Sequence, residues 1–321
     1  MSTVVVTGAS GYIGGQIALQ LRDAGHEVVG IDRRPCLPHL TDVFTRFVCE
    51  DFATDFALSA VVQSLPAAVI HCAGTSLVGP SMTNPADYYN NNVVKTLRLL
   101  DVVRRSLPRT RVIFSSSAAV YGVPLLTPCQ EVDPAQPISP YGESKLMIEM
   151  MLQSYHKAYG LDYVAFRYFN ACGADPRARH GQETGATHII ARVLESIRDN
   201  KEFVLNGIDY PTPDGTCVRD YVHVEDIARA HVLALDSNIA AGVYNLGSNT
   251  GTSNREIIDA AQQITGSAAV IQLGKPRHGD PPVLTASAAK FGMAAGSWKL
   301  YELDDMIQHA WAWYVRQNKK V

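Results

Sequence analysis

The chain has 321 residues, of which 46% are hydrophobic and 18% are charged, which is typical of a globular protein with one large domain or two modest ones. Its formal net charge of -3 provides no basic excess for binding a nucleic acid or an anionic membrane. The N-terminus lacks the pattern of a signal peptide, and no apolar run approaches the ~20 residues that a transmembrane helix needs. The six widely spaced cysteines indicate reduced thiols in the cytoplasm, and the ten histidines form no metal-binding pattern, so we expect no metal site.

The first half of the chain alternates short apolar runs with longer helical patterns. Strands are predicted over residues 3–7, 27–31, 46–49, 67–72, 111–116 and 163–169, and helices over 12–24, 84–106 and 140–160. Gly25 follows the first of these helices as its C-terminal cap. Strands that alternate with helices of this length predict an α/β fold with a Rossmann-like, doubly wound parallel sheet.

The pattern changes after about residue 170. Residues 171–186 are rich in Gly, Pro, Asp and Arg and are predicted to form a loop, and 210–216 a tight turn. Further helices are predicted over 187–198, 224–236, 255–265 and 302–317, with a short strand over 243–246. We therefore predict two domains: a Rossmann domain of residues 1–175 plus about 216–247, and a smaller C-terminal α/β domain of about 176–215 plus 248–321.

A glycine-rich turn joins the first predicted strand to the first predicted helix. Gly8, Gly11 and Gly14 form a G-x-x-G-x-x-G pattern, with Tyr12 and Ile13 between the last two glycines. Glycines allow the backbone to turn sharply and to approach a pyrophosphate closely, at a helix N-terminus that offers free N–H groups. The strand before the turn and the helix after it favour a dinucleotide site over an ordinary strand–helix connection.

The residues that follow the second and third strands bear on the choice of dinucleotide. Asp32 ends the second strand, 18 residues after the last glycine of the turn. An acidic side chain there can bind the ribose hydroxyls of adenosine and would repel a 2′-phosphate, which favours NAD over NADP. Arg33 and Arg34 leave NADP open, because an arginine can hold that phosphate. Asp51 and Phe52 either border the adenine or belong to a plain polar strand end.

A second set of residues predicts catalysis. Tyr141 and Lys145 form a Y-x-x-x-K pattern at the start of a predicted helix, so they lie one turn apart on one face. Ser117 is the last of three serines that end a strand, at the edge of the sheet where ligands gather. The charges of Lys145 and an oxidised nicotinamide are expected to lower the pKa of Tyr141 from about 10 toward neutrality. Tyr141 can then act as general acid/base while Ser117 holds the reacting hydroxyl or carbonyl group.

Ten short segments in a fixed order extend these patterns over nearly the whole chain. They are residues 8–14, 71–74, 88–93, 115–122, 141–145, 167–170, 209–212, 214–224, 244–247 and 277–280. With them the chain resembles the UDP-glucose 4-epimerase family of extended short-chain dehydrogenases/reductases. The resemblance implies an isomerase that uses NAD to epimerise a UDP-hexose at C4 through a transient 4-keto intermediate.

The resemblance also implies roles for residues at matching positions, with Ser117, Tyr141 and Lys145 as the catalytic residues. It implies that the following residues lie around NAD: Gly8, Gly11, Tyr12, Ile13, Gly14, Asp32, Asp51, Phe52, Ala73, Asn92, Tyr141, Lys145 and Tyr168. It implies that a second set of residues lies around the UDP-sugar: Ser117, Tyr141, Asn170, Thr187, His188, Arg219, Arg277, Asp280 and Leu284. The arginines suit a diphosphate, although an isolated arginine more often forms a surface ion pair, and His188 could equally pack within a helix. Ser76 and Pro80 depart from the Lys and Glu usual in the family.

Two further expectations follow from the resemblance. The first is a homodimer in which helices 84–106 and 140–160 pair across a two-fold axis. The apolar side chains concerned are Val93, Leu97, Leu100, Met147, Met150 and Met151. The second expectation concerns Leu284, which occupies the position of a residue that borders the C2 substituent of the sugar in this family. It either leaves room for a 2-N-acetyl group, as in UDP-N-acetylglucosamine, or simply packs between the domains.

Other functions stay open at this point. A dehydratase or decarboxylase of the same fold usually has an acidic residue just after the serine run, whereas Ala118 and Ala119 stand there. A net oxidoreductase would release NADH. A non-catalytic dinucleotide sensor would keep the glycine-rich turn but would not need Ser117, Tyr141 and Lys145 together.

Overall fold

The computed structural model describes residues 1–236, 238–276 and 281–318. In chain order the strands are β1 Thr3–Thr7, β2 Glu27–Asp32, β3 Arg46–Cys49, β4 Ala68–His71, β5 Arg111–Ser117, β6 Tyr163–Tyr168, β7 Asn170–Cys172, β8 Glu202–Asn206, β9 Val218–Arg219, β10 Tyr221–His223, β11 Gly242–Leu246, β12 Thr252–Ser253, β13 Val270–Gly274 and β14 Val283–Leu284. The α-helices are α1 Tyr12–Asp23, α2 Asp55–Gln63, α3 Val78–Ser81, α4 Pro85–Tyr88, α5 Lys95–Ser106, α6 Pro140–Tyr159, α7 Ile189–Asp199, α8 Val224–Leu233, α9 Asn254–Thr265, α10 Ala289–Ala295 and α11 Leu303–Asn318. In this part of the chain no helix is long and apolar enough to cross a membrane.

The centre of the molecule is a seven-stranded sheet in the order β11-β6-β5-β4-β1-β2-β3, with every neighbouring pair parallel. The chain order reverses between β1 and β4, which places a topological switch point where these two strands end. All the strands predicted in the first half are present, with bounds that differ by at most one residue. The predicted Rossmann-like doubly wound sheet is confirmed.

The sheet is covered on both faces, which explains why its strands are apolar throughout. Along β1, Val4 and Val6 belong to the core on the face of α1 and α8, whereas Val5 belongs to the core on the face of α2 and α5. This alternation is the period of two that a strand imposes on its side chains.

A separate core lies among α7, α9 and α11, where Leu194, Ile257 and Tyr314 are buried together. The strands β8 and β13 lie beside it as a parallel pair. Neither strand was expected from the sequence, because their residues are far apart in the chain. We propose that this region is the smaller domain, with the boundaries predicted above.

Several other elements differ from the sequence predictions, among them an interrupted helix, a missed helix and an unexpected strand. The helix expected over 84–106 is interrupted by a π-helical segment, Tyr89–Val94, between α4 and α5. Helix α2 was missed, although Thr54 caps it by accepting a hydrogen bond from the backbone N–H of Ala57 at 3.2 Å. Residues 170–172, where the predicted loop 171–186 begins, instead form β7, which pairs with β10. In each case tertiary pairing or packing decided what the local pattern left ambiguous.

Candidate active site

A cleft of about 1980 Å³ opens at the carboxyl ends of the central strands. The turns that follow β1, β4 and β5 form its floor, and residues of α7, β8 and β14 line its far side. Ligands gather in this position in doubly wound sheets. Most of the predicted cofactor and substrate residues border this one cleft. They are Gly8, Gly11, Tyr12, Ile13, Gly14, Asp32, Asp51, Phe52, Ala73, Ser117, Tyr141, Tyr168, Asn170, Thr187, His188, Arg219 and Leu284.

The glycine-rich turn has the geometry of a phosphate cradle. Gly8 has a φ of +72°, which L side chains rarely adopt. A Cβ added at Gly14 would lie 2.2 Å from the carbonyl oxygen of Gly8, so a side chain there would force the backbone apart. Gly11 closes the turn, since its N–H donates to the same carbonyl at 2.9 Å. The turn leads directly into α1 and therefore fits a dinucleotide pyrophosphate at the helix N-terminus.

Asp32 is held against the turn at the end of β2. Its carboxylate accepts hydrogen bonds from the backbone N–H groups of Ser10 at 3.0 Å and Arg34 at 2.8 Å. The guanidinium of Arg34 reaches the Ser10 carbonyl and lies 3.3 Å from the carboxylate of Glu183. Because Asp32 and Glu183 surround the charge of Arg34, a 2′-phosphate would meet two carboxylates here. This geometry favours NAD over NADP.

Asp51 and Phe52 line the cleft beyond Asp32. Lys95 donates to the Asp51 carboxylate at 2.6 Å, and the backbone N–H of Ala53 donates to it at 3.0 Å. Burial alone would raise the pKa of Asp51, but these hydrogen bonds lower it below its ordinary value. Lys95 was not singled out from the sequence, because its pairing with Asp51 spans 44 residues.

The three predicted catalytic side chains come together at the carboxyl end of β5. Ser139 caps α6, since its hydroxyl accepts from the N–H of Gly142 at 3.2 Å, and this places Tyr141 in the first turn. Lys145 follows one turn later, with its Nζ 5.8 Å from the centroid of the Tyr141 ring. The hydroxyl of Ser117 accepts from the N–H of Ala119 at 3.2 Å, which leaves its own proton for a bond into the cleft.

Lys145 is buried behind the cleft wall and does not border the cleft itself. Its Nζ donates to the backbone carbonyl of Ser115 at 2.8 Å and lies 4.8 Å from the centroid of the Phe114 ring. Burial lowers the pKa of Lys145 to about 8. The ammonium group is thus fixed beside Tyr141 with little water around it, where its field is screened weakly.

The surroundings of Tyr141 change one prediction. Burial raises the pKa of Tyr141, and a hydrogen bond with Ser117 acts in the opposite direction. The protein groups alone therefore do not bring this pKa toward neutrality. The predicted titration near pH 7 depends on the positive charge of an oxidised nicotinamide, in addition to the charge of Lys145.

Asn92 is also placed behind the cleft wall. Its amide oxygen accepts from the N–H of Thr75 at 2.8 Å, and its amide nitrogen donates to the Thr75 carbonyl and to Ser144. A Cβ at Gly74 would lie 2.9 Å from the same amide oxygen. Asn92 therefore holds the loop after β4 against α6, and the π-helical segment places it there.

The far side of the cleft holds the residues expected around the UDP-sugar. The amide of Asn170 donates to the carbonyl of Asp220 at 2.8 Å. His188 lies at the N-cap of α7, where burial lowers its pKa. Arg219 and Leu284 are paired in register between β9 and β14. Arg277 and Asp280 lie outside the described residues.

One cationic residue on this side was missed. Arg192 lies in the first turns of α7 and borders the cleft, with its guanidinium carbon 5.5 Å from the centroid of the Phe203 ring. The sequence offered no signal for it, because an arginine within an amphipathic helix is usually a solvent-exposed residue.

The family model described as the NAD dependent epimerase/dehydratase family matches residues 4–247. The chain belongs to this family. A UDP-glucose 4-epimerase of Halalkalibacterium halodurans is 40% identical, over 97% of this chain and 95% of its own length. The crystal structure of UDP-glucose 4-epimerase from Brucella ovis in complex with NAD is also 40% identical, with a TM-score of 0.92 over 97% of this chain and 98% of that chain.

A third relative was crystallised with both NAD+ and UDP. The crystal structure of UDP-glucose 4-epimerase from Bifidobacterium longum in complex with NAD+ and UDP is 33% identical, with a TM-score of 0.91 over 99% of this chain and all of that chain. These similarities confirm the family resemblance, the fold class and NAD as the cofactor. The roles of individual residues stay predictions.

Proposed function

We propose that this chain catalyses the NAD-dependent 4-epimerisation of a UDP-hexose, interconverting UDP-glucose and UDP-galactose. The observation that carries the proposal is the position of Ser117, Tyr141 and Lys145. Ser117 and Tyr141 border the same cleft as the glycine-rich turn at the carboxyl end of β5, and Nζ of Lys145 lies behind the cleft wall, 5.8 Å from the centroid of the Tyr141 ring. The relatives that share this architecture over nearly their full length are named UDP-glucose 4-epimerases.

The residues have complementary parts in this reaction. Tyr141 acts as general base from its phenolate form, which the positive charge of Lys145 stabilises, and it becomes a neutral phenol when it removes the proton from the 4-hydroxyl group. Ser117 donates its hydroxyl proton in a hydrogen bond to the oxygen at C4 and holds this oxygen in place as the 4-keto intermediate forms. Reversible hydride acceptance is the chemistry that NAD supplies when bound, which makes the reaction redox-neutral. Tyr141 returns its proton after the sugar has turned its other face to the site.

The residues next to Ser117 argue against the alternatives of the same fold. Ala118 and Ala119 border the cleft directly after Ser117, where a dehydratase or decarboxylase would place an acid. A dinucleotide sensor would gain nothing from a buried lysine ammonium beside a tyrosine.

The test is incubation of the purified protein with a panel of UDP-sugars. Formation of the 4-epimer without net NADH supports an epimerase. Accumulation of NADH in step with product would instead indicate a net oxidoreductase. The absence of any product from UDP-glucose or UDP-galactose would refute the proposal.

We further propose that Leu284 influences the choice of sugar at C2, with UDP-N-acetylglucosamine accepted beside UDP-glucose. Leu284 borders the cleft and also packs against the cluster that contains Tyr121 and Phe169. Leu284→Tyr is expected to lower kcat/KM for UDP-N-acetylglucosamine about tenfold relative to UDP-glucose, because the larger ring fills space that an acetamido group needs. An unchanged ratio of the two specificity constants would mean that Leu284 only packs.

We also propose that the protein is a homodimer. Helices α5 and α6 expose apolar side chains at Leu97, Met147 and Met150, of which Met150 is 59% exposed. Leu100, which the sequence placed in the same stripe, is fully buried in the core of its own chain and is removed from the interface. We expect light scattering at micromolar concentration to give twice the mass of one chain.

A matched pair of substitutions tests this surface. Met150→Lys is expected to shift the protein toward the monomer. A lysine buried at a two-fold interface is either repelled by the same lysine of the second copy or loses its solvation. Met293→Lys is the control, because Met293 is 83% exposed on α10. A wild type that is monomeric, or a Met150→Lys variant that dimerises like Met293→Lys, contradicts the proposed interface.

The compartment is proposed to be the cytoplasm. All six cysteines are free, and Cys129, Cys172 and Cys217 are buried as thiols. This use of cysteine suits a reducing compartment.

A further inference from the structure

Tyr168 lies directly beside the catalytic serine, since β6 pairs with β5 so that Tyr168 is the register partner of Ser117. The residue borders the cleft, but its hydroxyl is turned into the protein. The hydroxyl oxygen lies 2.9 Å from Oγ of Ser115 and 2.7 Å from Nε2 of His231.

The hydrogen bond that His231 makes through its other ring nitrogen, Nδ1, fixes the direction of these bonds. Nδ1 of His231 lies 2.8 Å from the backbone carbonyl of Ile227, which can only accept, so Nδ1 bears the proton. Burial lowers the pKa of His231 to about 4, so the ring is neutral at pH 7 and Nε2 is an acceptor. The Tyr168 hydroxyl therefore donates to His231, which leaves its oxygen as an acceptor. The single proton of the Ser115 hydroxyl is shared between this oxygen at 2.9 Å and Sγ of Cys72 at 3.1 Å.

The same set of bonds reaches the catalytic lysine. The backbone carbonyl of Ser115 accepts from Lys145, and the hydroxyl of Ser115 is hydrogen-bonded to the oxygen of Tyr168. His231 is fully buried on α8 and packs 4.9 Å, centroid to centroid, from the ring of Phe166. The imidazole thus forms a rigid support behind the cleft, and it touches neither the cleft nor the groups that react there.

We propose that His231 is a positioning residue for catalysis, which fixes the Tyr168 hydroxyl and thereby the position of the Tyr168 ring in the cleft wall beside Ser117. The proposal rests on the proposed function. Its physical basis is that a loss of alignment at a reacting centre, even one caused by a distant residue, lowers the rate steeply.

A double-mutant cycle tests the proposal, with His231→Phe, Tyr168→Phe and the two combined. We expect each single variant to lower kcat for 4-epimerisation about tenfold. The second readout does not depend on turnover. The holoenzyme is reduced with borohydride, and the release of NADH is followed by its fluorescence. We expect each single variant to release NADH about tenfold faster than wild type.

If His231 acts through Tyr168, His231→Phe should change neither quantity further in the Tyr168→Phe background. His231→Gln keeps an acceptor oxygen and should restore both quantities to within about twofold of wild type. His156→Gln is the matched control, because its Nδ1 also lies on a backbone carbonyl, that of Leu161 at 2.9 Å, but far from the cleft. It should leave both quantities unchanged.

Effects that multiply in the double variant would show that His231 acts independently of Tyr168 and would overturn the proposal. So would wild-type behaviour of a folded His231→Phe. If His231→Phe does not fold, the test rests on Tyr168→Phe, because this variant removes the same hydrogen bond and keeps the aromatic ring. Release of NADH from Tyr168→Phe at the wild-type rate then overturns the proposal. A wild type that epimerises no UDP-sugar refutes the proposed function, but the NADH release rates still decide the role of His231.

Discussion

Tyr141→Phe is expected to lower kcat by ~10²–10⁴-fold, the usual contribution of a general acid/base. The substitution removes only the phenol hydroxyl. The ring keeps its edge-to-face contact with Tyr88, at 6.4 Å between centroids, and its position 5.8 Å from Nζ of Lys145. Fold, thermal stability and NAD content should therefore stay close to wild type, and the loss should fall on the chemical step.

The measurement is kcat with UDP-galactose as substrate, together with the NAD content of the purified protein. Tyr155→Phe is a matched control on the same helix. The Tyr155 hydroxyl donates to Asp101 at 3.1 Å on the side away from the cleft, so its loss should not affect turnover. A kcat for Tyr141→Phe within threefold of wild type would remove Tyr141 from the mechanism.

The features that could be predicted from sequence are those whose cause is local. The glycine-rich turn is one, because Gly8 and Gly14 are required by backbone geometry within seven residues. The pair Tyr141 and Lys145 is another, because one turn of helix fixes their relation and Ser139 marks where that helix begins. The strands of the central sheet were predictable because burial on both faces demands continuous apolar runs.

The features that could not be predicted depend on contacts between distant segments. β8 and β13 are short and partly exposed, and they become strands by pairing with each other across more than 60 residues. The bond from Lys145 to the Ser115 carbonyl, which holds the ammonium group beside Tyr141, spans 30 residues. Asn92 matched a family motif, yet only the fold shows that its amide is used by Thr75 and Ser144.

The second large effect is expected on stability, at the ion pair between Arg167 of β6 and Glu149 of α6. Two parallel hydrogen bonds, at 3.0 and 2.7 Å, join the guanidinium to the carboxylate, and both side chains are about 95% buried. Ser116 also donates to this carboxylate. Arg167→Met would leave a buried carboxylate without its cation, which typically costs about 3–5 kcal/mol. We expect a loss of this size in the free energy of unfolding, measured by urea denaturation.

Two further variants separate charge from packing. Arg98→Met removes an exposed partner of Asp55 and should cost less than about 1 kcal/mol. In the double variant Glu149→Leu/Arg167→Met no charge is left buried, so it should be more stable than Arg167→Met alone, even though it lacks two polar side chains. The Arg167 guanidinium also lies 4.8 Å from the centroid of the Tyr121 ring, and methionine can occupy part of that space. If the double variant is no more stable than Arg167→Met, lost packing on Tyr121 rather than the uncompensated carboxylate accounts for the destabilisation.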